Sequence, residues 1–248
     1  MSIKHSIKHS ATAIAAGAIG LIGFSSIGGA ANAATIINGG FEEGFRGWRV
    51  VSQTGSYGGW STTNGTNNPD PSQGSSFALS SEGREGSHVL FQDIVLEAGS
   101  THELSFDWFT QNHSPFGEID PETMDFNGGP NQHFRVDLVS AGFDDWFSPS
   151  SNLGVLANIV HPFEYSGPDS FKTTTFDLTP WAGSTVRLAF RQVSNIALFN
   201  AGVDAVSIKS ESTSVPEPAS VLGLLAVGVG CVSLKTSKVK RQKLKANC

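Results

Sequence analysis

The sequence predicts an all-β fold for residues 34–210 of the 248-residue chain, an antiparallel β-sandwich of jelly-roll type. Three observations carry that expectation. The stretch shows no sustained helical period; it breaks into short segments in which apolar and polar residues alternate; and clusters of Gly, Pro, Asn and Ser separate those segments. At 39% hydrophobic and 10% aromatic, the chain can build a sizeable core and is too apolar to stay disordered.

The alternation runs in order along the chain. Residues 48–53, 76–80 and 87–96 are the first strand candidates. Leu104, Phe106 and Trp108 then alternate with Glu103, Ser105 and Asp107, and Phe134, Val136 and Leu138 with Arg135 and Asp137. Candidates at 153–159 and 171–178 follow. Val186, Leu188 and Phe190 alternate with Arg187 and Arg191, and Val206 and Ile208 close the series. Each period-2 run turns one face inward, so two sheets of about ten strands in all, pressed together, are the economical solution. Residues 61–73 and 111–132 read as long surface loops. Trp48 and Trp108 belong to the core, and Trp181 to a turn packed on the end of the sandwich.

Charge divides the chain into blocks. All 22 acidic residues lie between Glu42 and Glu217, among only eight basic ones, whereas the last fourteen residues hold six basic residues and no acid. A central domain of that sign repels phosphate backbones, which excludes nucleic acid as a partner. Both cysteines, Cys231 and Cys248, lie beyond the sandwich, so no disulfide holds it, and no lipobox-like cysteine follows the leader.

The two ends predict passage through a membrane. Lys4 and Lys8 precede an apolar, small-residue run at 11–27, and Ala31-Asn32-Ala33 supplies a small-x-small site. Residues 1–33 therefore read as a signal peptide that signal peptidase cuts before Ala34. After a linker at 211–218, residues 219–234 are apolar and 235–248 basic. As a helix the 16-residue span measures about 24 Å, short of a hydrocarbon core of ~30 Å, and snorkelling lysines make up part of the difference. A single transmembrane helix with a cytoplasmic basic tail leaves the acidic sandwich outside.

The linker ends in Val215, Pro216, Glu217 and Pro218, directly before the short Gly-rich span and basic terminus. This arrangement resembles the PEP-CTERM sorting signal of Gram-negative bacteria. The resemblance implies an exosortase-type processing enzyme as partner and recognition through Pro216, Glu217 and Pro218. It further implies export across the inner membrane, a membrane-anchored intermediate, and a final place on the cell surface or in a biofilm matrix rich in extracellular polysaccharide.

The domain opens Ile37-Asn38-Gly39-Gly40-Phe41-Glu42, and later carries Phe176-Asp177-Leu178-Thr179-Pro180-Trp181 and Gly202-Val203-Asp204-Ala205-Val206-Ser207-Ile208. In this it is similar to galactose-binding-like and carbohydrate-binding-module jelly rolls. By the residues alone, Asp204 shares the parity of Val206 and Ile208, so its carboxylate starts on the core side, where an unmet charge is costly. Glu42 near the first strand and Asp204 near the last converge if those strands lie side by side, and two carboxylates with backbone carbonyls suit Ca²⁺ rather than Zn²⁺. The resemblance assigns Glu42 and Asp204 to a structural calcium, with Asn38 as neighbour. The alternative is that Asp204 pairs with Arg187 or caps a turn while Glu42 is solvated.

Carbohydrate recognition calls for aromatic platforms beside polar groups. Tyr57 and Trp60, flanking Gly58-Gly59, and Trp146, after Asp144-Asp145, are the candidates; packing is their alternative use. The acidic loop with Glu118, Asp120, Glu122 and Asp125 lacks EF-hand spacing and reads as solvated. No nucleophile elbow, zinc-protease or phosphate-loop motif is present, and the five histidines of the domain are scattered and expected at the surface. The expectation is a non-catalytic surface or matrix protein that binds carbohydrate. A purely structural or adhesive envelope protein and a polysaccharide-modifying enzyme are the alternatives.

Overall fold

The computed structural model describes residues 33–66, 68–148, 154–161 and 170–213. Ala31, the sorting motif Val215–Pro218, the apolar span and the basic tail lie outside the described residues, and so do the expectations placed on them. Among the described residues no helix is long and apolar enough to cross a membrane.

Ten strands are described: β1 (Arg49–Ser52), β2 (Gly59–Thr63), β3 (Phe77–Glu82), β4 (Gly86–Val95), β5 (Ser100–Asn112), β6 (Gln132–Ser140), β7 (Val155–Val160), β8 (Lys172–Asp177), β9 (Thr185–Ser194) and β10 (Phe199–Ser212). They form two five-stranded antiparallel sheets, in the orders β1-β4-β9-β6-β7 and β2-β3-β10-β5-β8. The sequence alternation places nine of these strands. The exception is β2, which falls where Gly58-Gly59 and the polar run from Ser61 predicted a loop, and which pairs Trp60 with Ser80 of β3.

The core fills the space between the sheets with the inward residues that the period of two selects. Leu90 and Ile94, Phe134 to Leu138, and Val186 to Phe190 meet Leu104, Phe106, Trp108, Phe199 and Val203. Trp108 stacks on Phe134 with ring centroids 5.8 Å apart and donates its indole N–H to Thr174 Oγ1 at 2.8 Å. Phe106 meets Phe190 edge-on at 5.4 Å. Trp48 is in the core and Trp181 packs against it from a short 3₁₀ turn, both as expected.

β10 breaks its own alternation. Asp204 lies opposite Asp107 of β5, yet two positions before the next pair (Ser207 with Ser105) the register shifts, and Ala205 there has φ +50°. The bulge puts Val203 and Val206 on the core side together. Asp204 therefore shares a face with Asp107 and Gly202, not with Val206 and Ile208 as strict parity predicted. It is nonetheless completely buried, because loop 71–76 covers it.

The outer face of the first sheet is largely buried as well along its central strands β4, β9 and β6. Segment 141–148 lies across it, with Trp146 against Phe91 (5.3 Å) and Phe143 (4.8 Å). Arg187 sits 4.3 Å from the Phe91 ring centroid, grips Asp93 at 2.6 and 3.1 Å, and donates to the Phe143 carbonyl. Asp137, fully buried, accepts from Arg135 at 2.7 and 2.9 Å, from Arg191 at 2.7 Å and from Asn158 at 2.7 Å; Arg191 also donates to the Trp146 carbonyl. Loop 113–131 closes the rest, with Met124 and Phe126 packed on Val193. The loop is thus only in part the solvated one that its acids suggested: Glu122 is exposed, but an antiparallel bridge from Ile119 to Gln132 sets Asp120 3.7 Å from His133 Nε2. His88, His102 and His133 are all buried, contrary to the surface expectation: His88 and His102 take the core-side positions of β4 and β5, and His133 lies on the covered outer face of β6.

Two predictions follow from this buried polar layer. Removing Asp137 leaves Arg135 and Arg191 uncompensated, so Asp137→Ala is expected to lose about 3–5 kcal/mol of unfolding free energy in urea; a loss under about 1 kcal/mol would show that solvent screens the cluster. Burial, opposed by Asp120 and reinforced by Arg135 and Arg191, lowers the His133 pKa to about 4. The unfolded chain binds that proton at about 6.5, so stability is fully present above that pH and is lost as pH falls towards 4. His88, also lowered by burial, acts in the same sense. Urea midpoints are expected to fall across that window, and His133→Gln to flatten the fall.

Candidate functional site

The three expected metal ligands gather in one corner, but each is engaged by hydrogen-bond donors. Glu42 Oε1 accepts the N–H groups of Ser75 (2.7 Å) and Ser76 (2.9 Å), and Oε2 accepts the Ser75 hydroxyl (2.9 Å). Asp204 Oδ2 accepts the Gln73 N–H (2.9 Å) and the Ser72 hydroxyl (3.1 Å), while Oδ1 accepts the Ala205 N–H (2.7 Å). The two carboxylates therefore grip opposite ends of one loop. Gly74, φ +69°, lies so close to Glu42 that a Cβ there would sit 2.2 Å from Oε1. Asn38 spends its amide inside its own turn, donating to the Gly44 carbonyl and accepting from the Glu43 N–H.

Electrostatics separate the two acids. The Ser75 N–H and hydroxyl and the Ser76 N–H hold Glu42 below the usual carboxylate range. Burial pushes Asp204 above it, against the opposing pull of the Gln73 and Ala205 amides. A hard divalent cation needs six to eight oxygens. Here the carboxylate oxygens face N–H and O–H groups, and among the described residues no three His, Cys, Asp or Glu side chains come together around a metal position. As folded, these residues make a loop latch and do not fit an oxygen cage. Arg187, the alternative partner for Asp204, is taken by Asp93.

Of the three candidate aromatic platforms one faces solvent. Trp60 is 8% exposed, because β2 carries it into the core, and Trp146 is 2% exposed beneath its own segment. Tyr57 is 50% exposed. Its backbone is fixed on both sides: its N–H donates to the Glu85 carbonyl at 3.0 Å and its carbonyl lies 2.9 Å from His88 Nε2. The Arg84 guanidinium stands 5.0 Å from its ring centroid.

Strand register explains why this residue has company. Glu82 pairs with Phe199 and Gly86 with Ser194, so turn 83–85 and turn 195–198 both step between the sheets at one end of the sandwich. Connection 53–58, which carries Tyr57, steps across at the same end, since Ser52 pairs with His88 and Gly59 with Ser81. Loop 113–131 starts there too: the His113 N–H donates to the Leu198 carbonyl, and Phe116 on that loop is 75% exposed.

An open cleft of about 230 Å³ lies between the first two turns, lined by Gly83, Arg84, Glu85, Asn195, Ile196 and Ala197. One wall is stiff. Gln132 accepts the Ala197 N–H at 2.8 Å, and Asn195 bonds the Phe126 and Gly129 carbonyls and the Asn131 N–H. A larger cleft at the other end, about 360 Å³ and lined by Thr101, His102, Glu103, Asp177, Thr179, Lys209 and Glu211, has no aromatic wall, and Lys209 is paired to Glu211 at 2.7 Å. Sequence reasoning passed over Arg84 and Glu85. The Gly83-Arg84-Glu85-Gly86 turn between two alternating runs was the signal that could have found them.

No protein-family model and no curated protein matches this sequence. Among solved structures the chain is similar to TmCBM61 in complex with β-1,4-galactotriose, at 14% identity and a TM-score of 0.47, covering 71% of this chain and 97% of that one. It is similar to an apo-form cyclase from Fischerella sp. (18%, TM-score 0.44, 73% and 96%) and to the K1 cleaved adhesin domain of Lys-gingipain from Porphyromonas gingivalis W83 (19%, TM-score 0.43, 72% and 98%). These likenesses concern the stacking of two β-sheets, a scaffold shared by proteins of unlike activity.

Proposed function

We propose that the chain is an exported, non-catalytic surface or matrix protein whose sandwich binds carbohydrate at the end that carries Tyr57. The observation that carries this reading is the half-exposed, backbone-fixed Tyr57 ring beside an open polar cleft. A pyranose presents apolar C–H faces and a polar rim; the ring serves the former, and Arg84 and Glu85 serve the latter. The covered face of the first sheet offers no such surface. Export rests on the order of the sequence signals: a leader ending at Ala33, the V-P-E-P motif, an apolar span and a basic terminus. On this reading signal peptidase and an exosortase-type enzyme process the two ends, and extracellular polysaccharide is the partner.

A glycan array probed with the full chain in mild detergent tests the binding. Tyr57→Ala is expected to weaken retained ligands by tenfold or more, about 1.4 kcal/mol, without changing the thermal midpoint. Undiminished binding would move the site elsewhere.

The calcium implied by the resemblance is replaced in this reading by the hydrogen-bonded latch. Asp204→Ala leaves the covered Gln73 and Ala205 amides without their acceptor and is expected to cost roughly 1–3 kcal/mol, while chelator leaves the wild-type thermal midpoint in place. A midpoint that drops in chelator and recovers with added calcium would restore the cage.

A further inference from the structure

Resting on the saccharide reading of the cleft beside Tyr57, we infer that its ligand is a single acid-bearing sugar at a chain end, such as a terminal uronate, with Arg84 binding the carboxylate. Two of the six arginines around the sandwich, Arg49 and Arg84, hold no carboxylate in an ion pair among the described residues, and of these two Arg84 lies against an aromatic ring. Arg46, Arg135, Arg187 and Arg191 each hold a carboxylate oxygen at 2.5–2.7 Å. Arg84 has no carboxylate partner among the described residues; its contact is the face of Tyr57. The ring orients the guanidinium at the exposed turn between β3 and β4 and leaves the planar N–H fork available for an anion.

Two further features restrict the anion to an isolated one. The domain is strongly acidic, so an extended polyanion is repelled along most of its length. The cleft, at about 230 Å³, lies below the range of roughly 300–1,000 Å³ in which small-molecule sites enclose their ligands, which suits one terminal ring entering end-on rather than a chain lying across. Glu85, on the same turn, accepts hydroxyl protons of that ring and disfavours a second acid beside the first.

The test uses the full chain in detergent and three probes: an oligosaccharide ending in glucuronate, the same oligosaccharide ending in glucose, and a long polyuronate. The glucuronate-terminated probe is expected to bind at least tenfold more tightly than the neutral one, with the polyuronate gaining nothing per acid. Arg84→Gln is expected to erase that difference while leaving the thermal midpoint unchanged, and Arg84→Lys to keep only part of it. Equal affinity for the first two probes, or a preference that survives Arg84→Gln, overturns the inference and leaves the saccharide reading standing. Tighter binding of the polyuronate per acid overturns the end-on mode. Failure of all three probes, together with an empty glycan array, overturns the saccharide reading and the inference with it.

Discussion

The first turn and the last strand hold each other in a conformation that neither would adopt alone. The Gly39 carbonyl accepts the Val206 N–H at 3.0 Å, and the approach is so close that a Cβ on Gly39 would lie 1.8 Å from the Val206 oxygen. Asn38, Phe41 and Ala205 all take positive φ around this contact, an unfavourable state for side chains with a Cβ. Burial compensates: Phe41 is enclosed against Trp48 (5.3 Å) and Phe45 (6.2 Å), and the Trp48 indole donates to the Asn38 carbonyl at 3.1 Å. The bulge that this contact stabilises then turns Asp204 towards loop 71–76, and Glu42 leaves the same turn to meet that loop from its other end. The Asn-Gly-Gly-Phe-Glu opening is thus a mechanical fastening whose parts are legible only together.

A second constraint operates on the far face of the first sheet. Its arginines alternate with core residues as a solvent-facing set would, yet they lie beneath Phe143, Trp146 and Phe126. Arg187 and Arg191 each lie against an aromatic ring and spend N–H groups on a carboxylate and a backbone carbonyl, and Arg135 spends its own on Asp137. Desolvation is thereby compensated locally, and Arg191 illustrates the balance: burial lowers its pKa while Asp137 raises it. The result is a sheet whose central strands β4, β9 and β6 are largely dry on both sides, one with hydrocarbon and the other with paired charge and the Phe91–Trp146 cluster.

Periodicity was legible wherever one face of a strand met the core. It located nine strands, the inward residues of β5, β6 and β9, and the core positions of Trp48 and Trp108. It failed in three physically distinct ways. Gly59–Thr63 has one large apolar residue in five, so nothing in it alternates; Trp60 is recruited by its partner strand. The bulge at Ala205 inserts a residue without a glycine to announce it, which inverted the side assigned to Asp204 while leaving its burial correct. Burial of Trp146 and of His133 depends on loops that cross the outer face, and alternation reports which face a residue takes, not what later covers it. At the candidate site, Tyr57 was visible as an aromatic beside glycines, whereas Arg84 became meaningful only when register brought two turns together.

β10 runs from Phe199, at the end bearing Tyr57, to Ser212 at the opposite end. Fourteen extended residues span roughly 45 Å. A chain tethered through whatever follows Ser212 would stand upright on its last strand, with its recognition tips a full molecular length from the anchor. On the proposed reading of an anchored, sugar-binding chain, this strand would double as a mast, lifting the end that carries Tyr57 clear of a bilayer and towards neighbouring polymer.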